Sequence, residues 1–177
     1  MGGEQEELAI DGRAEGASGQ EVGRVRLESS AFAGGSPIPG RNSRDGGDES
    51  PPLSWTGAPE GTKSFALVCD DPDAPSGTWV HWVFFDLPGS LDRLPAGVEK
   101  SERPTGGGVN GRNDFGDLGW GGPQPPRGHG THHYEFRLHA LDGPLGLSPG
   151  ATKAQVESAM RGHVLAEARL MGTYRRD

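Results

Sequence analysis

Phe65-Ala-Leu-Val-Cys69 runs into Asp70-Asp-Pro-Asp-Ala-Pro-Ser-Gly-Thr-Trp-Val-His-Trp82, and that into Val83-Phe-Phe-Asp-Leu87. Two apolar runs of strand length flank a connection rich in carboxylates and proline, which reads as two strands joined by a stiff loop. Neither run alternates polar with apolar, as expected of strands covered on both faces. By the two-residue period Trp79, His81, Val83 and Phe85 share one face of the second strand. Val80, Trp82, Phe84 and Asp86 share the other. Acidic and imidazole groups therefore collect at one end of a central strand pair.

Outward from this pair the chain continues in the same idiom. Val22–Leu27 reads as a first strand, and residues 1–20, rich in Gly and Glu, as a disordered tail. Residues 34–52 hold Gly, Pro, Asn, Asp and Ser with hardly a hydrophobe, a long loop of the kind that is functional or mobile. Residues 88–130 are mostly loop. His132-His-Tyr-Glu-Phe-Arg-Leu-His-Ala-Leu141 is the cleanest alternation in the chain. It places His132, Tyr134, Phe136 and Leu138 toward the core, with His133 and His139 toward solvent. Beyond it, Val156, Ala159, Met160, His163 and Val164 recur at helical spacing behind capping residues, with His163 on the packing stripe. Arg169–Tyr174 reads as a short last strand. Residues 21–177 are thus expected to form one domain, a mainly β, antiparallel Greek-key-type sandwich with a C-terminal helix.

A chain of 177 residues suits a single core. Its 31 glycines and 15 prolines fall between compact apolar runs, so they punctuate strands rather than mark low complexity. A formal charge of −8 disfavours nucleic acid and anionic membrane surfaces as partners. Cys69, the one cysteine, can form no internal disulfide and reads as a small buried hydrophobe. The first residues lack the basic start and apolar segment of a signal peptide, and no run reaches transmembrane length. A cytoplasmic protein without stable membrane anchoring is the expectation.

Asp71, Asp73, His81, His132 and Tyr134 carry the chemistry this pattern offers. The aspartates can simply cap a turn, and His81 can be a satisfied core histidine. His132 and Tyr134 make the stronger pair, because two adjacent inward polar rings cost desolvation unless something answers them. His129-Gly-Thr-His-His133 has a superficial metal-ligand spacing, but neighbouring His132 and His133 point to opposite faces, so no metal is assigned. There is no Gly-x-Ser-x-Gly elbow, and neither glycine-rich loop follows a strand and opens a helix as phosphate loops do. No catalytic residue and no cofactor is assigned, and the expectation is a binding protein, not an enzyme.

These residues also carry a resemblance. Asp70-Asp-Pro-Asp-Ala-Pro75, His81-Trp82, Asn113-Asp-Phe-Gly116, Gly121-Gly-Pro-Gln-Pro-Pro126 and Gly128-His-Gly-Thr-His-His-Tyr134 together resemble the phosphatidylethanolamine-binding protein family, closest to its prokaryotic, Raf-kinase-inhibitor-like branch. The likeness runs from about Val22 to Arg175, and its specificity lies in several motifs in series. It implies a rigid pocket for phosphate or a phosphorylated head group such as phosphoethanolamine. That pocket would use Asp71, Asp73, Trp79, His81, His132 and Tyr134, with main chain near Gly122–Pro125, Gly122 and Pro123 foremost. It further implies a homodimer, a regulator acting on a kinase or protease partner, and a cis Ala74–Pro75 bond. Gln124, His133 and Trp120 depart from the branch's usual Cys, Arg and Tyr. In the favoured reading His81, His132 and Tyr134 donate hydrogen bonds to an anion. The alternative is a hydrolase using Asp/His acid–base chemistry on a phosphoester.

Overall fold

A computed structural model describes residues 24–177, so the first-strand residues Val22 and Gly23 and the expected tail lie outside it. Eight strands form two antiparallel sheets. The smaller holds β1 (Arg26–Glu28), β2 (Leu53–Thr56) and β5 (Arg93–Leu94) in the order β1-β2-β5. The larger holds β3 (Ser64–Asp71), β4 (Trp79–Pro88), β6 (Val109–Asn110), β7 (His132–Leu141) and β8 (Val164–Tyr174), ordered β6-β4-β3-β7-β8. Each neighbouring pair is antiparallel.

The main core lies between the sheets, where Trp55, Phe65, Trp82, Phe84, Phe136 and Leu138 are all but fully buried. A smaller cluster covers the far face of the large sheet. There Val83 and Phe85 meet Val156 and Met160 of the helix α1 (Lys153–Met160). This second layer is why β3 is buried at every residue and reads in sequence as an unbroken apolar run.

The face assignment along β4 needs correction. Cys69 pairs with Trp82, but the next residue, Asp70, pairs with Val80, which leaves His81 as the extra residue of a bulge. The alternation restarts there. His81 and Trp82 both turn inward onto Trp120, at ring centroid distances of 6.4 and 5.7 Å. Val83 and Phe85 therefore lie on the helix face rather than beside His81. A second irregularity falls at Asp86 (φ 54°), whose carboxylate accepts from Leu145 and Gly146 N–H.

The helix is shorter than the apolar spacing predicts. Thr152 and Gln155 close a capping box at its start. Arg161 turns to φ −57°, ψ 129° and ends it before His163. His163 is exposed and paired with Asp142 at 2.9 Å, so it does not pack on a helical stripe. Val164 opens β8, which runs eleven residues where only Arg169–Tyr174 is expected, and the helix sits before the last strand. His139 is less solvated than its outer-face position predicts, because it faces Glu167 across β8, 3.2 Å away, and its side chain is only 13 % exposed.

The loop 34–52 is built into the molecule. Ile38, Asn42, Ser43 and Ser50 are buried, and Ile38 N–H reaches the Thr173 carbonyl of β8.

Candidate functional site

Three strand ends meet around a cavity of about 230 Å³. Asp71 ends β3, Trp79 and His81 begin β4, and His132 and Tyr134 begin β7. All five line it, together with Ala74–Ser76, Phe115 and Gln124–Pro126.

Asp71 is buried and both its oxygens are engaged. Oδ1 accepts from Asp73 N–H at 2.7 Å, and Oδ2 accepts from His132 Nδ1 at 2.6 Å. The first bond is an Asx turn that starts the Asp71–Trp79 connection, and Gly77 N–H to the Ala74 carbonyl tightens it. The expected cis Ala74–Pro75 bond is absent: the peptide is trans, and these two hydrogen bonds give the loop its tight shape instead.

His81 is fixed by main chain. Its Nδ1–H donates to the Gly121 carbonyl, while Gly121 N–H donates to the carbonyl of His81. A carbonyl can only accept, so Nδ1 carries the proton and Nε2 is left as a lone pair when the ring is neutral. Burial holds the His81 pKa below the ordinary histidine value despite the nearby carboxylates. A neutral His81 therefore offers an acceptor, in contrast to the donor expected from sequence.

Two donors stand idle. The Tyr134 hydroxyl and the Trp79 indole N–H are buried without a hydrogen-bond partner among the described residues. Burial, reinforced by the Asp71 charge, pushes the Tyr134 pKa far up, so the hydroxyl keeps its proton. The Tyr134 ring meets His81 edge-on at 5.1 Å.

Three expected residues stand outside the lining. Asp73 swings outward, where Oδ2 accepts from His133 N–H at 2.9 Å and from His133 Nδ1 at 2.7 Å. The His133 side-chain bond holds the Asp73 pKa down. His133 thus holds the second aspartate away from the cavity lining. Gly122 is structural: its N–H donates to Asp48 Oδ1 at 2.7 Å, and a Cβ there would lie 2.1 Å from the Asn42 carbonyl oxygen. Pro123 spends its carbonyl on Arg44 N–H. Trp120, a departure from the branch pattern, is buried with Nε1–H on the Asn42 carbonyl at 3.0 Å. Gln124 lines the rim and reaches Asp45.

Phe115 and His129 are the residues that sequence reasoning missed. Phe115 sits edge-on to Trp79 and His81, with the Arg44 guanidinium 3.9 Å from its ring centre. Its signal was a large aromatic side chain in a glycine-rich loop, shared there with Leu118 and Trp120. His129 Nδ1 lies 2.6 Å from His132 Nε2, a contact made across a turn rather than along a strand face.

Fold and site together describe a two-sheet β protein with a small cavity, lined by histidine and aromatic side chains, at the strand ends of its central sheet. The chain belongs to the phosphatidylethanolamine-binding protein family, whose sequence profile it matches over residues 28–175. It is 51% identical to a UPF0098 protein of Methanothermobacter thermautotrophicus over 152 residues, 86% of this chain and 99% of that one. Among solved structures it is similar to YbcL of Escherichia coli, described as a member of the mammalian PEBP family (TM-score 0.80, 34% identity, 87% of this chain and 99% of that one). A second is the PEBP homolog CT736 of Chlamydia trachomatis (TM-score 0.78, 38% identity, 88% and 99%). No helix of the described residues is long and apolar enough to cross a membrane.

Proposed function

We propose that the cavity binds a small oxyanion, phosphate or the phosphoryl group of a head group such as phosphoethanolamine. The idle Tyr134 hydroxyl and Trp79 N–H carry this reading. Leaving two buried donors unanswered costs free energy that an anionic acceptor recovers. Neutral His81 adds a lone pair at Nε2, which suits an oxyanion that still bears a hydroxyl, as hydrogen phosphate does. His132 lines the same cavity with its Nδ1 held by Asp71, which leaves Nε2 as its remaining ring nitrogen. The cavity is smaller than the pockets that enclose drug-sized ligands, which fits a head group rather than a whole lipid. Calorimetric titration of phosphate and phosphoethanolamine tests the assignment, with millimolar or tighter binding expected from wild type. Unchanged affinity in His132→Ala would sink it.

A second reading, phosphoester hydrolysis, draws on the Asp71–His132 hydrogen bond, the geometry of a general base oriented by a carboxylate. Ser76 lines the same cavity. Turnover of a phosphoester panel that disappears in His132→Ala would favour this over simple binding.

A further inference from the structure

His132 has two ring nitrogens, and protein side chains meet both. Nδ1 is committed to the buried Asp71 carboxylate, 2.6 Å away. Nε2 is the nitrogen left for a ligand, and His129 Nδ1 stands 2.6 Å from it. A hydrogen bond between two imidazoles holds one proton. If His129 donates it, Nε2 is a filled lone pair, and once His129 leaves it can accept from an oxyanion that bears a hydroxyl, because Nδ1–H stays on Asp71. If His132 donates it, that N–H is already spent. In either case an oxyanion gains His132 only after His129 has left.

The placement of His129 makes leaving cheap. The residue is exposed while His132 is 1 % exposed, and its ring does not line the cavity. It stands between Gly128 (φ 72°) and Gly130 (φ 93°), each with open space where a side chain would go. Glycines in the left-handed region can change conformation without the Cβ clash that would hold another residue. The released imidazole enters water, where its hydrogen bonds are replaced. What displacement forfeits is the net worth of one hydrogen bond, which is small.

We propose that His129 is an affinity-setting residue of this site: it holds the ring nitrogen of His132 that Asp71 leaves over, and it is displaced when a phosphate-type oxyanion binds. The inference rests on the anion-binding reading above. Its effect is that of a binding-competent state populated only part of the time, which weakens the apparent affinity by the unoccupied fraction. One hydrogen bond's worth of competition corresponds to about threefold to tenfold in Kd.

Phosphate is titrated calorimetrically into wild type, His129→Ala and His129→Phe, with nitrogen NMR of the histidine rings recorded on the same full-length samples. Phenylalanine keeps a ring that can stack but cannot bond. Both variants are expected to bind phosphate about threefold to tenfold more tightly, with unchanged thermal unfolding, because an exposed side chain is altered. In wild type the His129 Nδ1 signal should move on phosphate addition to that of a free imidazole. Equal or weaker phosphate binding by both variants overturns the proposal, the weaker outcome marking His129 as a direct ligand of the anion. If no sample binds phosphate, the anion reading fails by itself. The ring spectra then decide separately, since a His132 Nε2 signal identical in wild type and His129→Ala shows that no bond exists to be displaced and overturns the inference.

Discussion

Asp71 Oδ2 and His132 Nδ1 lie 2.6 Å apart with side chains only 4% and 2% exposed, a fully sequestered pair joining β3 to β7. Removing one member leaves the other buried and unanswered, which is the costly way to break such a pair. Asp71→Ala is expected to lose about 1–3 kcal/mol of unfolding free energy. It should also lose phosphate binding, because His132 is then free to rotate and choose its tautomer. Urea denaturation beside calorimetry checks both parts, and a variant of wild-type stability would contradict the first.

Tyr134→Phe separates stability from binding. The hydroxyl makes no hydrogen bond within ordinary distance among the described residues, although it neighbours Asp71, so stability should hold to within about 1 kcal/mol. Affinity for phosphate should fall about tenfold, since a hydrogen bond to a charged acceptor goes with it. A variant that is clearly destabilised while binding normally would show that the hydroxyl serves the fold instead.

Gly122→Ala tests whether that position is structural. Its Cβ would meet the Asn42 carbonyl oxygen at 2.1 Å, and that oxygen already accepts from Trp120 Nε1. Overpacking of this kind costs about 1–3 kcal/mol. The thermal midpoint should drop accordingly, and a soluble variant with the wild-type midpoint would show that the loop yields freely.

Acid should loosen the fold through two histidines. Burial lowers the pKa of both His81 and His139 from 6.5. The unfolded chain then binds more protons than the folded one, so stability rises with pH. Their contribution is intact above pH 6.5 and is lost as pH falls from there toward the folded-state values. Unfolding midpoints between pH 7.5 and 5.5 should decline, and His81→Gln and His139→Gln should each flatten the decline. A slope untouched by either substitution would assign the effect to other groups.

Much of this was legible because period and burial coincide. The alternation of β7 put His132 and Tyr134 inward, where they lie, and the unbroken runs of β3 and β4 marked a sheet covered on both sides. The failures are places where a backbone irregularity or a long-range bond decides. The bulge at His81 shifts the faces of β4 by one residue, and nothing in Val80-His-Trp-Val83 announces it, because residues of both faces are apolar or aromatic. Helical spacing persisted through His163 and Val164 although the backbone had already turned at Arg161. Asp73 looked equivalent to Asp71 until His133, sixty residues away in the chain, drew it outward. The trans Ala74–Pro75 bond was invisible for a similar reason, since hydrogen bonds shape that loop.

In the β7–β8 pairing His132 stands opposite Tyr174, at the far end of the last strand. Until β8 adds to the sheet, β7 and the His132 it carries therefore lie on an open sheet edge. On the proposed reading the cavity is completed only when β8 docks, so an anion held there would report a closed sheet rather than the strands before it.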